Sequence, residues 1–166
     1  MIKELKKNRL FTYKPEEILA DETNLRILEE LQQEPRLPMT ELSRRVGLSS
    51  PAVTERVRRL EETGVIRGYR LDINPVALGL PIAAFVRIRP SAGQQLYKIA
   101  ELAASIPEVA ECHRVTGEDC FILKVYLPSL EQLDRVLDLF LQFGNTTTSL
   151  IQSSPVPFRG APLPED

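Results

Sequence analysis

Residues 44–70 hold the side chains best suited to chemistry with a partner. Arg44, Arg45, Arg56, Arg58, Arg59, Arg67 and Arg70 stand there against only Glu55, Glu61 and Glu62. A guanidinium is permanently charged and presents a planar fork of donors, which matches phosphate oxygens and the O6/N7 edge of guanine. Residues 76–166 carry the opposite balance, seven basic against ten acidic side chains, so the whole-chain net charge of −2 conceals a basic segment. A basic stretch joined to an acidic remainder is the charge distribution of a nucleic-acid reader attached to a domain with a different task.

Within the basic stretch, Val53, Val57 and Leu60 are spaced four and three apart and form one apolar stripe on a helix from about Ser50 to Glu62. The opposite face carries Pro51, Thr54, Glu55, Arg58 and Glu62. Once the stripe docks, Ser50, Thr54, Glu55 and Arg58 project from the N-terminal half, the part of a recognition helix that reaches base edges in the major groove. Arg58 suits guanine and Glu55 suits the cytosine amino group. Ser49, Ser50, Arg44, Arg45, Arg56, Arg59, Arg67 and Arg70 suit phosphate contacts. A solvated helix face with Glu55–Arg59 and Arg58–Glu62 pairs is the plain alternative. The elements around the helix decide for DNA.

Those elements follow from local signals. Asp21 is placed to cap a helix whose apolar positions are Leu25, Ile27, Leu28 and Leu31, ended by Pro35 and Pro38. A short helix runs from about Pro38 to Val46, and Gly47 offers the left-handed residue that closes it. Ser50 serves as a capping hydroxyl, with Pro51 at the first helical position. Gly64 stops the third helix, and Val65–Asp72 reads as one or two short strands of a wing. Asn74, Pro75 and Gly79 mark a linker. Beyond it the expected order is a strand over 82–89, a helix over 94–105 with Leu96, Ile99, Ala100 and Ala103 inward, and strands over 109–116 and 120–127 around Gly117-Glu118-Asp119. A helix over 130–143 follows, with Leu130, Leu133, Val136, Leu137 and Phe140 inward, and then a strand over 146–153. That order packs as a four-stranded antiparallel sheet with two helices on one face. The tail, with Pro155, Pro157, Pro162 and Pro164, reads as extended and loose.

Other chemistries find little support. The chain contains no nucleophile elbow, phosphate-binding loop or zinc-protease motif, so no catalytic residues, cofactor or metal ligands are assigned. Its two cysteines, Cys112 and Cys120, form no CxxC pair. With the turn between their strands, Cys112 falls opposite Leu123 and Val115 opposite Cys120, so the sulfurs are not neighbours and read as reduced thiols. His113 reads as a surface or interface residue. No apolar run approaches the ~20 residues of a membrane helix, and the N-terminus lacks an apolar signal-peptide core, so a cytoplasmic protein is expected. The run Lys3, Lys6, Lys7, Arg9 and Lys14 is either an arm that touches DNA or a frayed extension.

The segments ELSRRVGLSSPAVTERVRRLEETGVIRGYRLDINPVALGL (residues 41–80), PEVAECHRVTGEDCFILKV (107–125) and TTTSLI (146–151) closely resemble the Lrp/AsnC family, the leucine-responsive or feast/famine transcription regulators. The resemblance implies an α+β chain: a winged helix-turn-helix domain followed by a βαββαβ ferredoxin-like sandwich for ligand binding and oligomerisation. It divides the chain into an N-terminal extension (1–18), a DNA-binding domain (19–73), a linker (74–80), an effector domain (81–156) and a tail (157–166). It further implies double-stranded DNA as partner, homodimers that assemble into octamers or similar rings, and an amino acid or related metabolite as effector. The family's effector positions fall here on Gly117, Glu118, Asp119, Thr146 and Thr148. A carboxylate among these suits an ammonium group, and two threonines two apart on a strand share a face. Where many members have Gly-x-x-Asp-Tyr, this chain has Gly117-Glu118-Asp119-Cys120-Phe121, so leucine or asparagine is not carried over as the effector. The rival function is a sirohaem-type decarboxylase of the same two-domain shape. A single histidine and the arginine-rich helix argue against it.

Overall fold

Asp21 begins a helix as expected: its Oδ1 accepts from the Thr23 amide at 2.9 Å, which satisfies one of the free N–H groups at the start of α1 (Glu22–Gln33). The computed structural model describes residues 18–91 and 96–164. The basic N-terminal run and the Gln94 start of the later helix lie outside these residues. Helix α2 (Met39–Val46) closes on Gly47, whose φ of +72° is the left-handed conformation that glycine adopts without steric cost. Helix α3 (Ser50–Glu62) contributes Val53, Val57 and Leu60 to a core with Ile27, Leu28, Leu31, Leu42 and Val46. Full burial of each such side chain stabilises the fold by about 1.5–3 kcal/mol.

Three expectations need correction in this part. Ser49, not Ser50, is the N-cap of α3, and it makes no side-chain cap bond. The Ser50 backbone is already helical, and its hydroxyl turns to Ser43 Oγ at 3.0 Å, tying α3 to α2. The segment over 65–72 contains no strand. The Ile66 amide donates back to the Leu60 carbonyl and Tyr69 Oη donates to Glu61 at 3.0 Å, so these residues bond to α3 and not to a neighbouring strand. The tail is extended but not loose. Gln32 Nε2 donates to the Ala161 carbonyl at 3.0 Å, Leu163 packs on the helical core beside the half-buried Leu25, and Arg70 stacks over the Phe158 ring at 5.5 Å. A chain ended after Pro157 is expected to lose about 1 kcal/mol from the helical unit, the value of one partly buried leucine. Amide hydrogen exchange in α1 measures this; unchanged protection would show that the tail contributes nothing.

Among the described residues the chain forms two compact units, this one over 18–71 with 158–164 and a second within 72–157. The second opens with a 3₁₀ turn, Pro75–Leu78, capped by Asn74 Oδ1 on the Val76 amide. Strands β1 (Ile82–Pro90), β2 (Val109–Arg114), β3 (Phe121–Leu127) and β4 (Gly144–Leu150) pair antiparallel in the order β2-β3-β1-β4. Helices α4 (Leu96–Ser105) and α5 (Leu130–Leu141) supply Ile99, Ala103, Leu133, Val136 and Phe140 to the core. Ala84, Val86 and Ile88 of β1 and Phe121, Leu123, Val125 and Leu127 of β3 meet them from the sheet. Alternation leaves Phe85, Arg87, Arg89, Ile122, Lys124 and Tyr126 on the opposite face. Ala100 and Leu130, expected inward, are exposed. Leu102 packs against the core where Ala100 does not, and Leu130 directly follows the Ser129 cap, at the end of α5 where the buried stripe has not begun.

Candidate nucleic-acid interface and effector site

Burial of Val53, Val57 and Leu60 turns Thr54, Glu55 and Arg58 outward on α3, and all three are exposed. Arg58 is held by its own helix: Nη2 and Nε donate to the two oxygens of Glu55 at 2.5 and 2.9 Å, and Nη1 pairs with Glu62. The hydrogen bond from Arg58 holds the Glu55 carboxyl below the usual carboxylate range, and the same bond raises the Arg58 guanidinium pKa. Both side chains are well solvated, so the pair is worth little and exchanges readily for another planar acceptor. The Thr54 hydroxyl donates to the Ser50 carbonyl at 2.8 Å. Ser49 is exposed at the helix start.

The remaining cations divide in a way that their spacing does not reveal. Arg59 and Arg67 are exposed and make no ion pair among the described residues. Arg44 pairs with Glu41. Arg45, expected as a phosphate contact, donates to Glu30, Glu41 and Glu34 at 2.8, 3.2 and 3.2 Å, bridging α2 to α1. Arg56 donates to Asp21 Oδ2 at 2.5 Å and Asn24 Oδ1 at 2.9 Å. That contact lowers the Asp21 carboxyl pKa. Both residues sit at the flanks of buried stripes, where a long side chain reaches a neighbouring helix before it reaches solvent.

In the second unit, Gly117 adopts φ +115° in the β2–β3 turn. The register is the expected one: Cys112 lies opposite Leu123, and the Val115 amide donates to the Cys120 carbonyl at 2.9 Å. Both thiols are free, and burial raises the Cys112 pKa. His113 lies 3.2 Å from Glu111. Glu118 and Asp119 are gathered by Arg89 of β1, which pairs with Glu118 and lies 3.7 Å from Asp119 Oδ1. Arg89 thereby joins the candidate site, and the alternation Phe85-Arg87-Arg89 along β1 is the only signal of it in the sequence. Thr146 and Thr148 do not join this group within one chain. They lie opposite Ile88 and Val86, on the helix-covered face, whereas Arg89 lies opposite Asn145 on the other face.

A unit that presents the exposed face of α3, followed by an antiparallel sheet with a charged turn, has the architecture of a DNA-binding regulator with a second, α+β domain. Comparison with known proteins agrees. The model for winged helix-turn-helix DNA-binding matches residues 21–67, and the Lrp/AsnC ligand binding domain matches residues 83–160. The chain is 41% identical over 134 residues to an uncharacterized HTH-type transcriptional regulator, YezC, of Bacillus subtilis, covering 81% of this chain and 94% of that one. The solved structure of B. subtilis LrpC superposes with a TM-score of 0.75 at 34% identity, over 80% of this chain and 94% of that one. A Neisseria meningitidis regulator, NMB0573, solved in complex with L-methionine, superposes with a TM-score of 0.77 at 28% identity, over 84% and 93% of the two chains. The chain belongs to the Lrp/AsnC family of DNA-binding transcriptional regulators.

Proposed function

We propose that this protein is a sequence-specific transcriptional regulator whose DNA occupancy responds to an amino acid or related small metabolite. One observation carries the reading: the outward face of α3, opposite a fully buried apolar stripe, presents Thr54, Glu55 and Arg58 in exposed positions. Ser49, Arg59 and Arg67 flank it as phosphate contacts, with Arg44 available after release from Glu41. The effector reading rests on the turn Gly117-Glu118-Asp119, whose carboxylates suit an ammonium group once they exchange Arg89 for it. Arg89, released in that exchange, then suits the effector carboxylate. The L-methionine complex of the Neisseria relative supports this class of ligand. Thr146 and Thr148 complete such a site only from another subunit or from the far side of the sheet edge. Homodimers formed over the open sheet face, where Phe85 is 41% exposed beside Tyr126, and octamers built from them, fit the family. No helix among the described residues is long and apolar enough to cross a membrane, which suits a protein acting on DNA in the cytoplasm.

Genome-wide mapping of bound DNA tests the reading: a shared, roughly palindromic site is expected. The sensing half is tested by calorimetry with each of the common L-amino acids. Replacing Glu118 and Asp119 together by alanine is expected to abolish binding of any amino acid that the wild type takes, and to leave effector-free DNA affinity unchanged. Undiminished effector binding by that double variant would remove the proposed pocket.

A further inference from the structure

We infer that Arg56 is a positioning residue for DNA reading: it pins the recognition helix to the start of α1 through Asp21 and Asn24, and does not itself contact phosphate. The inference deepens the DNA-reading proposal and rests on it. A stripe of three apolar residues fixes which face of α3 is buried, but apolar contact is non-directional and tolerates small rotations and slides along the groove. Directional bonds remove that freedom. Both acceptors of Arg56 are themselves held from a second side. Asp21 offers Oδ2 to Arg56 at 2.5 Å while its Oδ1 caps α1 on the Thr23 amide at 2.9 Å. Asn24 offers Oδ1 to the same guanidinium nitrogen at 2.9 Å while its Nδ2 donates to the Ile18 carbonyl at 3.0 Å. The carboxylate and the amide therefore have fixed orientations before Arg56 arrives.

The contact also occupies a distinctive place among α1, α2 and α3. The Ser43–Ser50 hydroxyl pair ties α2 to α3, and Arg45 with its carboxylates ties α2 to α1. Among the described residues, Arg56 makes the only side-chain hydrogen bonds from α3 to α1 and its cap. Its side chain is 34% exposed and that of Asp21 37%, partly withdrawn from solvent, unlike the freely exposed Arg59 beside it. Base reading requires the outward side chains of α3 to meet base edges within a fraction of an ångström, whereas sequence-independent phosphate attraction does not. Loss of the pin therefore weakens specific binding selectively.

The experiment uses the full chain with two duplexes: one enriched by the wild type from a random-sequence pool, and poly(dI-dC) as the unselected competitor. Asp21→Asn is the informative variant, because asparagine caps a helix as well as aspartate does and only the charge partner of Arg56 is lost. The pin predicts about tenfold weaker binding to the selected duplex, the size of one degraded base contact, with little change on poly(dI-dC). It predicts the same loss for Arg56→Gln, no further loss in the double variant, and a salt dependence equal to the wild type's. A phosphate contact predicts the opposite: Asp21→Asn, which removes a negative charge, binds both duplexes as well or better, and Arg56→Gln lowers the salt slope by about 0.9. That result overturns the inference, and Asp21→Asn alone suffices if Arg56→Gln does not fold. A wild type that enriches no sequence from the pool overturns sequence-specific reading itself, and the pin with it.

Discussion

Arg58→Ala is expected to weaken binding to the specific site by about 1–3 kcal/mol and to relax discrimination at one base pair, with little change on unrelated DNA. The size follows from geometry. Arg58 stands on the face of α3 opposite Val53, Val57 and Leu60, in the middle of the helix, and its guanidinium already adopts a bidentate arrangement on Glu55. Guanine O6 and N7 present a similar pair of acceptors, so the exchange replaces one two-point contact by another. The exposed Glu55 pair offsets only a small part of the gain. Arg59→Ala differs in kind: it should weaken binding to all sequences alike and lower the salt slope. Anisotropy titrations on the selected duplex and its single-base variants separate the two. If Arg58→Ala keeps both the affinity and the base preference of the wild type, α3 does not dock by this face.

Gly144→Ala should cost about 3 kcal/mol or more of stability in the second unit, the upper end for forced overpacking. A Cβ on residue 144 would lie 2.0 Å from the Arg89 carbonyl oxygen and 2.8 Å from the Pro90 Cα. Both neighbours are backbone atoms and cannot rotate aside, so β1 and β4 must separate where Pro90 pairs with Gly144 and Arg89 with Asn145. The disturbance falls on Arg89, the cation that gathers Glu118 and Asp119, so any effector response should weaken together with stability. Urea denaturation followed by far-UV circular dichroism gives the loss directly. A midpoint within experimental error of the wild type's would mean that the two strands do not approach this closely in solution.

Both predictions start from features with very different visibility in the amino-acid order. Helix α3 and its outward face were legible because helical period and buried stripe are local: Val53, Val57 and Leu60 can share a face in only one way. The β2–β3 register was legible for the same reason, since a short turn at Gly117 fixes which residues meet across it. Cap chemistry named Asp21 correctly, and Gly47 closed α2 where expected.

Tertiary contact decided the rest. Sequence alone determined that Thr146 and Thr148 share a face of one strand. Pairing of β4 with β1, opposite Val86 and Ile88, decided that this is the helix-covered face and not the face of Arg89. Composition determined a basic segment, but side chains from distant positions decided what each arginine does: Asp21 and Asn24 take Arg56, Glu30 and Glu34 take Arg45, and Arg58 stays outward with its own helix. The prolines determined an extended tail, and a leucine and a carbonyl meeting α1 decided that it is docked. The physical reason is common to all three. Periodicity and caps act over a few residues of backbone, whereas an ion pair, a strand neighbour or a docking groove depends on which remote atoms the chain brings within a few ångströms.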